Sequence, residues 1–599
     1  MNLHLVLITY ACVLWHSSGV DPTTVTVQQG QIVGETVDFN EDGISTQVDI
    51  FKGIPFAEPP LRFAAPKPKE PWVGDWNATY FRPACYQIPT NSWKPWVFLD
   101  VDEDCLYLNV YTPSPKPDNA PVMVYIHGGS YTTGTAMDVD LSGVPMAAFE
   151  GVITVVINYR LNVFGYLSTG DDAAPGNFGF LDQAEALKWV RANIQAFGGD
   201  DTRITIFGES AGSGSVDFHR FSKYSRDFFD QSILQSGSAI AWWSFVSDLE
   251  EERAQAFSLG EKVNCEAEDT VQLIDCLRTV EAARLYLAYS LNGYNWWPNL
   301  DGVFLDESPF DLLARGDVKD GPMMVGYNRD EGTLIVPSFY PDYVGKQEPP
   351  YIPRQSFDSM VEMTLYLRRD IVNEIIEDSV KQEYMDWSQA DNDTADYFLQ
   401  YLPIYGDITF SCPANEIIRA HASVMTSPVY QYFLTHVPTT SYYERDGEGT
   451  GWFLAGHVED IPFVFGWGFN EDIKDLHEWT DEERDLSRNI MKFWANFAKS
   501  GDPSRASLSD PLGVGQMEWP SFTIPELTYK ELSPELRLGR GIKSDECAFW
   551  GIYLNELSGT LGSMNEAELQ WREDYLSWKD DLKGWRQQFS QYQEKDMCP

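Results

Sequence analysis

Three short runs of β-branched and aliphatic residues stand out along the chain, at residues 122–126 (VMVYI), 152–157 (VITVVI) and 204–207 (ITIF). Each is free of charged residues and rich in β-branched and aliphatic side chains, the pattern of a strand covered on both faces. The first runs into His127-Gly128-Gly129, the second into Asn158 and the third into Gly208, so each ends at turn-forming residues. Residues 181–195 place Leu181, Ala184, Leu187, Trp189, Val190 and Ile194 at helical spacing and stop near Gly198-Gly199. Alternating strands and helices predict an α/β protein on a large, mixed, mainly parallel sheet. The two ends of the chain are patterned differently. Residues 5–15 are apolar, too few to span a bilayer, and precede Ser17, Ser18 and Gly19. That predicts a secretion leader over residues 1–19, although its start lacks Lys and Arg. Near the other end Trp571, Trp578, Trp585 and Tyr592 recur every seven residues, with Tyr575, Leu582 and Phe589 between them among mostly polar neighbours. This predicts an amphipathic helix with a narrow aromatic seam, set off by a small flexible linker at residues 558–563 (SGTLGS).

Composition narrows the classes. The 599 residues are 43% apolar and 14% aromatic, enough for a large packed core. Acidic residues number 90 against 43 basic ones, a net charge of −47. Such a surface repels phosphate, so no nucleic-acid partner is expected, and it draws cations towards a cleft. Of eight cysteines Cys12 leaves with the leader. The remainder is odd in an oxidising compartment, so one thiol is expected to pair between chains. Cys85/Cys105 and Cys265/Cys276 are spaced as local bridges, and no Cys/His spacing suits a metal. Asn77-Ala78-Thr79 and Asn392-Asp393-Thr394 are glycosylation sequons and fit the secretory route.

Candidate chemistry begins at Gly208-Glu209-Ser210-Ala211-Gly212, a G-x-S-x-G motif directly after a predicted strand. A sharp strand-to-helix turn there exposes the serine, as in the α/β-hydrolase fold. His127-Gly128-Gly129-Ser130 follows another strand, where the N–H groups of Gly129 and Ser130 can join that of Ala211 as an oxyanion hole. Serine needs a base oriented by a carboxylate. With His4 and His16 in the leader, His127, His219, His421, His436, His457 and His477 remain. His457 lies in a loop before the apolar run 461–465, but spacing alone does not choose it, nor Glu331 among the acids.

Several longer stretches then resemble one family: GIPFAEPPLRF (53–63), EDCLYLNV (103–110), GNFGFLDQ (176–183), FGESAG (207–212), QSGS (235–238), NRDEGT (328–333) and the segment from His457 to DIPFVFG (460–466). The chain is similar to type-B carboxylesterases of the cholinesterase family along almost its whole length. The resemblance implies an α/β-hydrolase domain over residues 20–557 and a tail over 564–599. It implies a triad of Ser210, Glu331 and His457, the disulfides Cys85–Cys105, Cys265–Cys276 and Cys412–Cys547, and ion pairs Arg62–Glu103 and Arg160–Asp182. The activity implied is hydrolysis of choline esters by an enzyme that needs no cofactor or metal. A broad carboxylesterase is the alternative. A non-catalytic adhesion ectodomain is the less favoured one, because relatives of that kind have lost triad members and this chain keeps all three.

The specificity residues depart from the family's usual pattern. Glu209 matches the acidic neighbour of the nucleophile and Trp243 the acyl-pocket tryptophan. Trp93 and Trp96 are the candidates for the choline-binding aromatic, Tyr294 and Asn292 stand at acyl-pocket positions, and Leu334 replaces a second choline-site aromatic. These changes imply a roomier acyl pocket. The tail resembles the tryptophan-rich tetramerisation segment of cholinesterases, which implies a dimer or tetramer, a proline-rich anchoring partner, Cys598 as the interchain thiol and an extracellular, tethered location.

Overall fold

The computed structural model describes residues 21–88, 100–294, 296–344, 346–367, 374–444, 451–511 and 513–560. It also describes Trp571, Asp574, Tyr575, Trp578, Lys579, Leu582, Gly584, Trp585 and Arg586. A 13-stranded sheet runs through the molecule. Its strands along the main path are β1 (Asp21–Val27), β2 (Gly30–Glu41), β3 (Ile44–Pro55), β4 (Tyr107–Ser114), β5 (Ala120–Ile126), β6 (Ile153–Ile157), β7 (Gly199–Glu209), β8 (Gln231–Gln235), β9 (Met323–Asn328), β10 (Val429–Leu434), β11 (Thr528–Leu532) and β12 (Leu538–Arg540). Their spatial order is 1-2-3-4-6-5-7-8-9-10-11-12, and Asp75–Asn77 pairs with β2 off this path. Strands β1 to β4 and β6 join antiparallel, the block from β6 to β11 is parallel, and β12 returns antiparallel. This is the α/β-hydrolase fold.

The apolar runs explain the parallel block. Every residue of β5, β6, β8 and β9 is buried. The predicted helix is Phe178–Asn193, with twelve of its residues buried, and it passes directly into a 3-10 turn at Ile194–Phe197. The helix Asp481–Ser500 carries a Thr480/Glu483 capping box, in which the Glu483 N–H donates to the Thr480 hydroxyl and the Thr480 N–H to the Glu483 carboxylate. Two hydrophobic clusters result, one containing Phe180, Leu187 and Ile206 and the other Tyr125, Phe207 and Trp494.

All three implied disulfides are formed. Arg160 and Asp182 pair at 2.7 Å in full burial and Arg62 and Glu103 at 2.6 Å nearer the surface. At the C-terminal side the chain differs from expectation. Residues 554–560 are helical, so Ser558 to Thr560, the first half of the expected linker, continue a helix. Among the described residues no helix is long and apolar enough to cross a membrane.

Candidate active site

Ligand sites of open α/β sheets form beyond the carboxyl ends of the parallel strands, and the candidate residues gather there. Strand β7 ends at Glu209, Ser210 follows, and a helix starts at Ala211 (Ala211–Phe221). Ser210 holds φ 57° and ψ −121°, a strained turn for a residue with a side chain. Gly212 makes the turn feasible, because a Cβ there would fall 2.0 Å from the Ile126 carbonyl oxygen. The Ser210 N–H donates to the Gln235 carbonyl at 2.8 Å, fixing the turn to β8.

The glycine loop after β5 abuts this turn. A Cβ on Gly128 would lie 3.1 Å from the Ser210 Cβ. Gly129 and Ser130 take φ of 104° and 55°, and the Gly129 carbonyl accepts from the N–H groups of Thr132 and Thr133. The third residue of the loop is a serine in a conformation that favours glycine, and the backbone keeps the turn all the same.

Glu331 and His457, 126 residues apart, meet because their loops are laced together. The Asn328 side chain donates to the Gly456 carbonyl at 2.7 Å, Asp330 N–H donates to the Ala455 carbonyl at 2.9 Å, and the Ala455 N–H donates to Asp330 Oδ2 at 3.0 Å. His457 Nδ1 then lies 2.6 Å from Glu331 Oε2. The other oxygen, Oε1, accepts from the Ser236 hydroxyl at 2.5 Å and the Asn328 N–H at 2.7 Å. His457 Nε2 lies 3.2 Å from Glu209 Oε1. Phe410 stacks on the imidazole, the ring centres 4.2 Å apart.

One cleft is lined by Ser210, His457, Gly128, Gly129 and Glu209 together with Asp138, Asp140 and Tyr442. Burial, with Asp460 and Glu331 adding repulsion, pushes the Glu209 carboxyl well above the usual carboxylate range. Asp460 is buried beside it and accepts from the Gln235 amide at 2.7 Å and the Tyr432 hydroxyl at 3.1 Å.

The remaining histidines are placed differently. His127 also lines the cleft, but its ring stacks on Tyr159 at 4.4 Å and burial lowers it to about 4. His219 is buried between Ser225 and Gln183, and burial lowers it to about 3.

Other sequence candidates lie off this cleft. Trp243 donates its indole N–H to the Thr409 carbonyl at 2.9 Å and packs 5.8 Å from Phe410. The Tyr294 hydroxyl pairs with Ser258 at 2.6 Å, and the Asn292 amide donates to the Ala288 carbonyl at 2.7 Å. Leu334 is buried at the end of the turn that starts at Glu331. Trp93, Trp96 and Cys598 lie outside the described residues. Asp138, Asp140, Tyr442 and Phe410 escaped the sequence reading, since no motif surrounds them and only the folded chain brings them near Ser210.

Residues 21–550 match the Carboxylesterase family. Over 618 aligned positions the chain is 33% identical to the acetylcholinesterase of Bungarus fasciatus, a match that covers 100% of this chain and 97% of that protein. With the sheet, the strand-end cleft and a family match along most of its length, the chain belongs to the carboxylesterase family.

Proposed function

We propose that the protein is a secreted serine esterase that hydrolyses choline esters through an acyl-enzyme. The observation that carries this reading is the buried Glu331–His457 pair, 2.6 Å apart, whose His457 lines the same cleft as the strained Ser210 turn. The Ser210 hydroxyl attacks the ester carbonyl while His457 Nε2 takes its proton, and Glu331 holds the imidazole tautomer through Nδ1. The N–H groups of Gly129, Ser130 and Ala211 receive the developing oxyanion, each contributing about 2.7–4 kcal/mol in comparable sites. His457 then protonates the departing alcohol, and water under the same base releases the acid. No cofactor enters these steps.

A cationic leaving group is supported by the net charge of −47 and by three carboxyl-bearing residues, Asp138, Asp140 and Glu209, on the cleft wall. A cation beside Glu209 favours its ionised form against the burial that now opposes it. Only the family resemblance supports Trp243, Tyr294, Leu334, Trp93 and Trp96 as substrate-selecting residues, since the first three do not line the cleft. Asn77 and Asn392 are both exposed, as glycan acceptors must be.

The test is turnover of acetylthiocholine, butyrylthiocholine and a neutral phenyl ester by wild type and Ser210→Ala. Choline esters are expected to be the better substrates, with a substantial butyryl rate. Ser210→Ala is expected to lower kcat by on the order of 10⁶-fold. Equal rates for charged and neutral esters would leave a broad carboxylesterase. No serine-dependent turnover of any of the three esters would favour the non-catalytic binding ectodomain.

A further inference from the structure

A second cavity, of about 810 Å³, shares no lining residue with the Ser210 cleft. Its volume falls in the range of about 300–1,000 Å³ usual for small-molecule sites. Three parts of the chain wall it. One is a face of the helix Cys412–Val424, where Cys412, Glu416 and Arg419 follow at helical spacing. The second is the helix Ser544–Ala548 with the π-helical turn Phe549–Tyr553, which presents Ser544, Cys547, Ala548 and Ile552. The Cys412–Cys547 disulfide ties these two walls together. The third wall is aromatic: Trp242, Phe245, Trp297 and Phe310, with Trp242 and Trp297 edge to face at 6.2 Å.

Buried Ile408, from the π-helical segment Asp407–Ser411, and buried Trp550 add further apolar surface. The Trp550 ring is held in place by its indole N–H, which donates to the Tyr384 hydroxyl at 2.7 Å. Phe310 and Ile552 are 49% and 60% exposed, so the cavity opens to water past apolar side chains. Such a surface suits an apolar occupant.

Charge narrows what that occupant carries. In a chain of net charge −47, Arg419 is the one cation among the described residues that line the cavity. Its guanidinium donates to the Ser544 hydroxyl at 3.4 Å, and no carboxylate among the described residues forms an ion pair with it. Glu416, one turn away, is exposed and already engaged. A rigid fork of N–H donors beside an aromatic wall fits a carboxylate on an apolar body. The acidic surface does not forbid this, since exposed charges more than about 8 Å away are largely screened at physiological ionic strength and a direct contact is not.

We propose that this cavity binds a long-chain carboxylic acid, its carboxylate on Arg419 and its chain along Trp242, Trp297 and Trp550. The site is separate from the Ser210 cleft, so it stands or falls independently of the esterase reading.

The experiment is isothermal titration of the full chain with dodecanoate and with dodecanol, which has the same tail and no charge. Dodecanoate is expected to bind on the order of 10-fold more tightly. Arg419→Gln is expected to weaken dodecanoate on the order of 10-fold, the scale of one lost charge-assisted hydrogen bond, and to leave dodecanol unchanged. Arg419→Lys keeps the charge without the fork and should fall between the two. Ala548→Trp, at an exposed position on the wall, fills the cavity and is expected to remove this binding for both probes with the melting temperature little changed. Equal affinity for acid and alcohol, or dodecanoate binding indifferent to Arg419→Gln and Ala548→Trp, would overturn the proposal. Binding seen only in a form ending at residue 560 would give the cavity to the chain's own tail. Bound dodecanoate that falls as chain concentration rises would give it to a second copy, and either result equally defeats the proposed ligand.

Discussion

Glu459 stands two residues beyond His457, fully buried, and accepts from the Ser441 hydroxyl and from the Tyr442 N–H at 3.0 Å. Burial, opposed by those hydrogen bonds but assisted by Glu444 and Asp460, raises it from 4.5 to about 8. The folded state therefore holds a proton that the unfolded chain releases above pH 4.5. Between roughly 4.5 and 8 the folded state binds more protons, so this group's contribution to stability falls as pH rises. Glu459→Gln is expected to leave urea stability near wild type at pH 5 and to exceed it at pH 8, by roughly 3–4 kcal/mol. An equal difference at both pH values would show that the carboxyl does not titrate in this way. Legibility at this scale was uneven. Ser210 and Gly129 were readable because a strand, a turn and a helix start within a few residues encode their conformation. Glu331 and His457 carry no such local mark, and only the resemblance selected them.

The three strands and the core helix read from apolar patterning are present with modest errors at their ends, since burial on both faces leaves a continuous apolar run; the other strands carried no such clear run. The segment 407–411 was not readable as π-helical, because Pro413 shows only that an ordinary helix loses a bond there. Which group replaces that bond depends on Trp243, brought in from another part of the chain. The tail raises a separate question. Trp571, Trp578 and Trp585 are 62%, 55% and 62% exposed, and Trp571 stacks on Tyr575 at 5.6 Å. Among the described residues nothing covers this aromatic row, and exposed apolar stripes of this kind favour a partner. We infer that the tail assembles the protein into dimers or tetramers, around a proline-rich chain where one is present, with Cys598 as the interchain thiol. Sedimentation of the full chain should give a species heavier than a form ending at residue 560. Cys598→Ser should abolish the reducible cross-link without removing the aromatic association. A full-length protein that sediments as a monomer at micromolar concentration would refute the assembly.

For the molecule as a whole, charge is the dominant long-range property. A net charge of −47 and an acidic cleft wall attract a cationic ester from a distance and do little for a neutral one. The kcat/KM of a choline ester should fall by several-fold as ionic strength rises from about 0.01 to 0.15 M, where the screening length shrinks from about 30 to 8 Å. The value for a phenyl ester should stay level, and parallel curves would show that the surface charge does not act on the substrate. By itself the sequence determined the α/β class, the buried strands, the serine turn and the acidity of the surface. Each is written in neighbouring residues or in composition, and neither depends on knowing which distant segments meet. Only the tertiary structure showed Glu331 within 2.6 Å of His457, Asp138 and Asp140 on the cleft of Ser210, and Phe410 against the His457 ring. Those are contacts between segments far apart in the chain, 126 residues for Glu331 and His457, and it is the order of the strands in the sheet that brings them together.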